Sequence, residues 1–320
     1  MGAGLFVVAL VAAGCGGGDD EATPSAEAAA PDVSEFPAAD GRTLEQIAAD
    51  EGDLSELVVA PSGQVFHKGE NRLGFGVFTI DQEAVSDATV ALYAARPDGP
   101  AIGPFPASAE SLAVDAAFQS KSTASDPAAA ENVYAAEIEL DGRGEWRLLA
   151  LIKEGDGYSF ATLPSAVVGA FPDVPQIDDP APEVETLTAD DVGGAVAEID
   201  TRQPPSTMHE DNFADVVGEE PTVLLFATPA LCTSRVCGPV VDIAEQVKSE
   251  RGDEAAFIMQ EIYEDNEFDP ENLREPVRAF NLPSEPWLFV IDADGNISTA
   301  IEGAFSEVEL NAALDKVTAS

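Results

Sequence analysis

The sequence predicts two folded units in series, an all-β sandwich followed by an α/β domain, and three observations carry that expectation. Between about Leu54 and Ala170, short apolar runs recur with proline and glycine between them, as antiparallel strands do. Beyond about residue 190, runs of strand type alternate with segments of helical spacing, as in a sheet covered by helices. Between the two, residues 171–189 carry Pro172, Pro175, Pro180 and Pro182 among acidic residues and read as a linker. A chain of 320 residues has room for two domains, and 45% hydrophobic residues supply their cores.

At the start of the chain, Leu5 to Gly14 is apolar and rich in small residues, ends in Val11-Ala-Ala-Gly-Cys15 and runs into Gly16-Gly-Gly-Asp-Asp20. This resembles a bacterial lipoprotein signal with its lipobox, residues 1–15. The resemblance implies a lipid on Cys15 and a mature chain anchored to the cell membrane on its extracytoplasmic face. No Lys or Arg precedes the run and Ala12 stands where Leu is commoner, which points to a start upstream of Met1. The run is too short to remain as a bilayer-spanning helix. Residues 16–43 have few large apolar groups and read as a disordered tether.

In residues 44–170 the strand-like runs are Leu57-Val-Val, Leu73 to Ile80, Ala88 to Ala94, Val133 to Leu140, Trp146 to Ile152 and Tyr158 to Val168. Asp141-Gly142 separates two of them in the manner of a hairpin. The runs Gly69-Glu-Asn-Arg-Leu-Gly-Phe-Gly-Val-Phe, Asp87-Ala-Thr-Val-Ala-Leu-Tyr, Tyr134-Ala-Ala-Glu-Ile-Glu-Leu and Gly144-Glu-Trp-Arg-Leu resemble small immunoglobulin-like modules of bacterial envelope proteins. That implies an immunoglobulin-like β-sandwich acting as spacer or recognition unit. Copper-handling relatives of such modules use His or Met ligands. Here His67 stands alone and reads as a surface residue.

In residues 190–320, Ala195 to Ile199 is a candidate first strand and Thr207-Met-His-Glu210 has capping-box form ahead of Phe213, Val216 and Val217. A strand over Val223 to Ala227 follows, then a helix with Val240, Ile243, Ala244 and Val247 on one face, a strand over Ala255 to Tyr263 and a helix over Pro270 to Phe280 interrupted by Pro276. Trp287 to Ile291, the turn Asp292-Ala-Asp-Gly295 and Ile297 to Glu302 make a hairpin. Ser306-Glu-Val-Glu309 caps a last helix carrying Leu310, Leu314 and Val317.

The chemistry concentrates in Phe226-Ala-Thr-Pro-Ala-Leu-Cys-Thr-Ser-Arg-Val-Cys-Gly-Pro-Val240. Cys232 and Cys237 are the only thiols besides Cys15 and lie at a strand-to-helix junction, where a helix N-terminus can favour a thiolate. The strand Val223-Leu-Leu-Phe-Ala, the helix start Cys237-Gly-Pro-Val240 and Ser284-Glu-Pro-Trp-Leu-Phe-Val-Ile-Asp-Ala-Asp-Gly295 resemble the thioredoxin superfamily. The resemblance implies a thioredoxin-like fold and thiol-disulfide exchange. Cys237 is then the nucleophile, Cys232 the resolving partner in a Cys232–Cys237 disulfide, and Pro286 the cis-proline that aligns substrate. Arg235 is a candidate cation beside the thiolate and Glu285 a carboxylate that would oppose it. The chain departs from the family with Val240 at the place of the second cysteine, Leu231 where Trp usually precedes the motif and Leu224 near where a buried Asp is usual. Two sulfurs this close in sequence bridge only if the loop brings their Cα atoms within about 7 Å.

Other readings weigh against this one. The same pair can be a structural staple in a non-catalytic binding module of an oxidising compartment. Pro229 with Ser234-x-x-Cys237 misses a peroxidase pattern by one residue. A Cu(I) site would need a methionine beside the cysteines, and Met208 and Met259 read as core. His209 reads as a surface or capping residue, with a proton-relay role as the minor alternative. The net charge of -45, from 60 acidic and 15 basic residues, repels nucleic acid and reads as a solvated surface. The expectation is a monomer without cofactor or metal whose partners are thiols or disulfides of envelope proteins, with the membrane reached through Cys15.

Overall fold

The computed structural model describes residue 1, residues 30–126 and residues 129–319. Cys15 and the expected signal lie outside the described residues. In chain order the first half holds α1 (Leu44–Glu51), β1 (Gly52–Leu54), β2 (Leu57–Pro61), β3 (Gly69–Thr79), β4 (Val90–Ala95), β5 (Ala101–Pro106), β6 (Ser108–Ser111), α2 (Lys121–Ser125), β7 (Asn132–Leu140), β8 (Gly144–Glu154) and β9 (Gly157–Val168).

Alternation along strands such as β7 buries every second side chain, and the buried sets define two sheets with facing sides. Their orders are β1-β9-β8-β4-β5 and β2-β3-β7-β6. Phe75, Val77, Tyr134 and Ile138 of one meet Val90, Leu92, Leu148 and Ala150 of the other in a shared core. The Asp141-Gly142 turn is not a hairpin. β7 and β8 belong to different sheets, so it carries the chain across the sandwich. The hairpin is the next turn, where Glu154 pairs with Gly157 around Gly155-Asp156. A hairpin and an arch between sheets share local turn chemistry, and only the partner strands separate them.

The far side of the five-stranded sheet is also covered. Phe36, Ala39, Leu44 and Ile47 pack on Ala91, Tyr93, Leu149 and Leu151. Residues 30–43 are therefore packed rather than a disordered tether. Two apolar anchors, Phe36 at 5% exposure and Ala39 at 7%, suffice because the sheet supplies the other half of the burial. Thr43 and Gln46 form a capping box that starts α1.

The second half holds α3 (Phe213–Val216), β10 (Thr222–Phe226), α4 (Cys237–Arg251), β11 (Ala256–Gln260), α5 (Glu275–Ala279), β12 (Trp287–Ile291), β13 (Ile297–Glu302) and α6 (Glu307–Thr318). Its sheet has the order β11-β10-β12-β13, with β10 and β11 parallel and the other neighbours antiparallel. Every residue of β10, β11 and β12 is buried, as expected of strands covered on both faces. Val223, Leu225, Leu288 and Val290 face α4 and α6. On the other face Leu224, Phe226, Phe289 and Ile291 meet Phe213 and Phe280.

Four local expectations are corrected. Ala195 to Ile199 is not a strand but encloses a 3-10 turn, Val196–Glu198, so the sheet has four strands. Thr207 to Glu210 does not cap a helix; Thr207 donates its backbone N–H to Glu245 on α4 (2.7 Å), and Asn212 caps α3 instead. Pro276 sits in the first turn of the short α5 rather than interrupting a longer helix. The segment read as a linker is packed, with Val174, Ala181 and Val184 buried against the sheet.

Candidate functional site

β10 delivers the chain into residues 227–236, and α4 takes it up at Cys237. Leu231 and Cys232 donate their backbone N–H groups to the Thr228 carbonyl (3.2 and 3.1 Å), folding the loop back over the strand end. This brings the Cα atoms of Cys232 and Cys237 to 6.0 Å, and the two sulfurs are bonded. Pro239 costs α4 nothing, since a first-turn N–H has no intrahelical acceptor. Val236 at the N-cap provides no side-chain acceptor, which leaves the first-turn donors free of a side-chain cap.

The two cysteines differ in access. Cys237 is 0% exposed, inside the core that α4 forms with β10 and β12. Cys232 is only partly buried, its Sγ 3.1 Å from the Ser234 hydroxyl beside the exposed Thr233, Ser234 and Arg235. Arg235, at φ 60°, turns its guanidinium to Asp126 (2.7 Å). The expected cation is therefore engaged by an acid of the sandwich half instead of standing alone beside the sulfurs.

From Cys237 to Val247 α4 is buried all round. Asp242 accepts from Arg202 Nε (2.8 Å) and the Ser120 N–H (3.0 Å), and Gln246 accepts from the Asp115 N–H (2.7 Å). α2 lies against the first turn: a Cβ on Gly238 would stand 2.7 Å from Thr123 Oγ1. The Ala130 N–H reaches the Arg235 carbonyl at 3.4 Å. The connection between β6 and β7 thus reaches over from the sandwich onto the cysteine-bearing helix.

Phe226 pairs with Trp287 and with Gln260, so Pro286 and Glu261 lie at the end of the sheet from which the cysteine loop departs. The Glu285–Pro286 peptide is cis. Burial pushes the Glu285 carboxyl up, and its side chain hydrogen-bonds Tyr263. Burial, with Glu285 nearby, pushes the Tyr263 phenol up to about 12.

Sequence reasoning missed three groups here. Glu261 is 0% exposed and accepts from the Thr201 N–H (2.8 Å) and hydroxyl (2.5 Å), while Thr201 Oγ1 accepts from the Ala230 N–H (3.0 Å) in the loop. Burial pushes its carboxyl above the ordinary range. The one available signal was an acid that, with Gln260, interrupts the apolar run from Ala255 to Tyr263. His209 is no surface residue but 3% exposed, with Nε2 3.1 Å from Asp200 Oδ2. Burial alone would raise the Asp200 carboxyl, but hydrogen bonds from His209, Ser206 and Arg202 hold it below the usual range. Met208 and Met259 are core residues. Among the described residues no group of three or more His, Cys, Asp or Glu is placed to hold a metal ion, and no helix is long and apolar enough to cross a membrane.

A four-stranded sheet of this order, a helix opening at a cysteine after β10 and a proline leading into β12 make the second half thioredoxin-like in arrangement. No family model and no curated protein matches the chain. Among solved structures, the chain is similar to a thiol:disulfide interchange protein of the thioredoxin family from Chlorobium tepidum TLS. The identity is 20% and the TM-score 0.31, over 45% of this chain and 98% of that one. It is also similar to a thioredoxin-like superfamily protein at 16% identity and TM-score 0.28, over 35% of this chain and 87% of that one.

Proposed function

We propose that this chain is a thiol-disulfide oxidoreductase whose working group is the Cys232–Cys237 disulfide, exchanging with thiols or disulfides of envelope proteins. The observation that supports it best is the placement of the pair. One sulfur is partly exposed on a loop, and the other opens a 15-residue helix whose first-turn donors lack a side-chain cap. Pro286, at the same end of the sheet, is the backbone platform for a substrate strand in this reading.

The test is the reduction potential of the pair in the full chain, measured by alkylation after equilibration in graded thiol buffers. A value between about -270 and -120 mV is expected of an exchanging pair. A value below about -300 mV would mark a structural staple and replace this reading with a binding module. The full burial of Cys237 is what favours that second reading.

The compartment belongs to the same proposal. In this reading Cys15 carries a lipid that holds the chain at the outer side of the cell membrane, where a disulfide persists. Residues 44–170 form an immunoglobulin-like spacer or recognition unit joined through residues 171–189 to the exchange unit, residues 190–320. Intact-mass measurement of membrane-extracted protein should find a diacylglyceryl group on Cys15, and an unmodified Cys15 would remove the anchor.

A further inference from the structure

We propose that exchange opens at Cys232, with Cys237 as the internal leaving and resolving sulfur, the reverse of the order that the sequence resemblance implies. This rests on the exchange reading above and adds the direction of attack and the class of substrate, a dithiol or disulfide reaching the 232–235 loop from solvent. Three observations carry it. Cys237 is 0% exposed within the α4 core, whereas Cys232 is partly exposed. α2 closes the side of Gly238, so the first turn of α4 is covered from the sandwich half as well. Exposed Thr233 follows Cys232 directly and Cys232 Sγ lies 3.1 Å from the exposed Ser234 hydroxyl, whereas buried Val236 stands directly before Cys237.

The chemistry balances in both directions. A substrate thiolate bonds to Cys232 Sγ, the bond between Cys232 and Cys237 breaks, and its electron pair stays on Cys237 as a thiolate. Exchange is faster when the leaving sulfur is stabilised as thiolate, and the N-terminus of α4 offers that stabilisation. The second substrate thiolate then attacks the substrate sulfur of the mixed disulfide and releases Cys232 as thiolate. The substrate loses two electrons as its disulfide forms, the protein pair gains them, and the two thiol protons pass to water or to the released cysteines. In reverse, the Cys232 thiolate attacks a substrate disulfide, and Cys237 attacks Cys232 Sγ to close the bond and expel the reduced substrate.

The experiment uses the full chain with Cys15→Ala, so that only the pair reports. Cys237→Ser leaves Cys232, which should react with an aromatic disulfide reagent under native conditions. Cys232→Ser leaves Cys237, which should react more slowly by about tenfold or more, since each tenfold requires about 1.4 kcal/mol of local opening. Should either variant fold poorly, the unsubstituted pair decides. After reduction and a brief exposure to substoichiometric iodoacetamide, whose thioether Cys237 cannot displace, peptide mapping should place the alkyl adduct on Cys232. An adduct on Cys237, or equal native rates for the two variants, overturns this order of attack and leaves exchange itself standing. No native adduct on either sulfur overturns both.

Discussion

Asp242 lies on α4 with 1% of its side chain exposed, facing Arg202 at 6%. Its oxygens accept from Arg202 and from the Ser120 N–H, so one carboxylate ties the cysteine-bearing helix to two distant segments. A buried ion pair contributes modest net stability against an apolar replacement, but removing one member strands the other. Asp242→Ala should therefore cost about 3–5 kcal/mol in urea unfolding. A loss below about 1 kcal/mol would mean that water replaces the carboxylate, as at an exposed pair. By contrast, opening the disulfide by reduction should cost only about 2 kcal/mol, because the loop it closes is short.

At the scale of elements, the contact that matters for reactivity is α2 on α4. Gly238 is required for space rather than for φ: Thr123 Oγ1 would stand 2.7 Å from a Cβ there. Thr123 is not free to swing, because its hydroxyl is held by Ser120 Oγ at 2.9 Å. Gly238→Ala should push α2 outward and raise the alkylation rate of Cys237 in the reduced protein by about tenfold, while α4 gains in helix propensity. An unchanged rate would show that Thr123 rotates away and α2 stays in place. α6, in contrast, was legible from sequence, since the Ser306 and Glu309 capping box and the inward Leu310 and Leu314 are local features that the fold retains.

Across the whole molecule the two halves share contacts that a linker would not provide. Glu302 of β13 accepts from the Gln64 and Val65 N–H groups (2.8 Å each) and from the Ser284 hydroxyl (2.5 Å). Arg72 of β3 pairs with Glu309 and donates to the Ala304 carbonyl (2.9 Å). Leu112 and Val133 of the sandwich half enter the core of the sheet that carries the cysteines. Burial pushes the carboxyls of Glu302, Glu110, Glu261 and Glu285 upward. A folded carboxyl with a raised pKa binds more protons than its unfolded form, so stability falls as pH rises from 4.5, the ordinary glutamate value, through the raised values. Asp200 has the opposite sign, and its contribution is lost only as pH falls below 3.8. Self-repulsion at a net charge of -45 acts in the same direction as the glutamates. Urea midpoints should therefore rise as the pH is lowered from neutral toward 4.5, and Glu261→Gln should flatten part of that rise. A midpoint that falls on acidification would contradict the burial of these carboxyls as a destabilising element.

The local terms were legible from neighbouring residues alone. Periodicity placed six strands of the sandwich, β10 to β13, α4 and α6, and the two cysteines marked the strand-to-helix junction, because strand burial and helix caps are written in neighbouring residues. Whatever depends on residues far apart in the chain came from three-dimensional packing. Asp141-Gly142 became an arch between sheets, the proline-rich segment packed on the sheet, and His209 went inside to meet Asp200. The same holds for the site. That the two cysteines sit together was legible, whereas their unequal access was not. Cys237 is shut in by its own core and by α2, a helix more than a hundred positions earlier in the chain, and no local pattern encodes which distant segment covers a helix end.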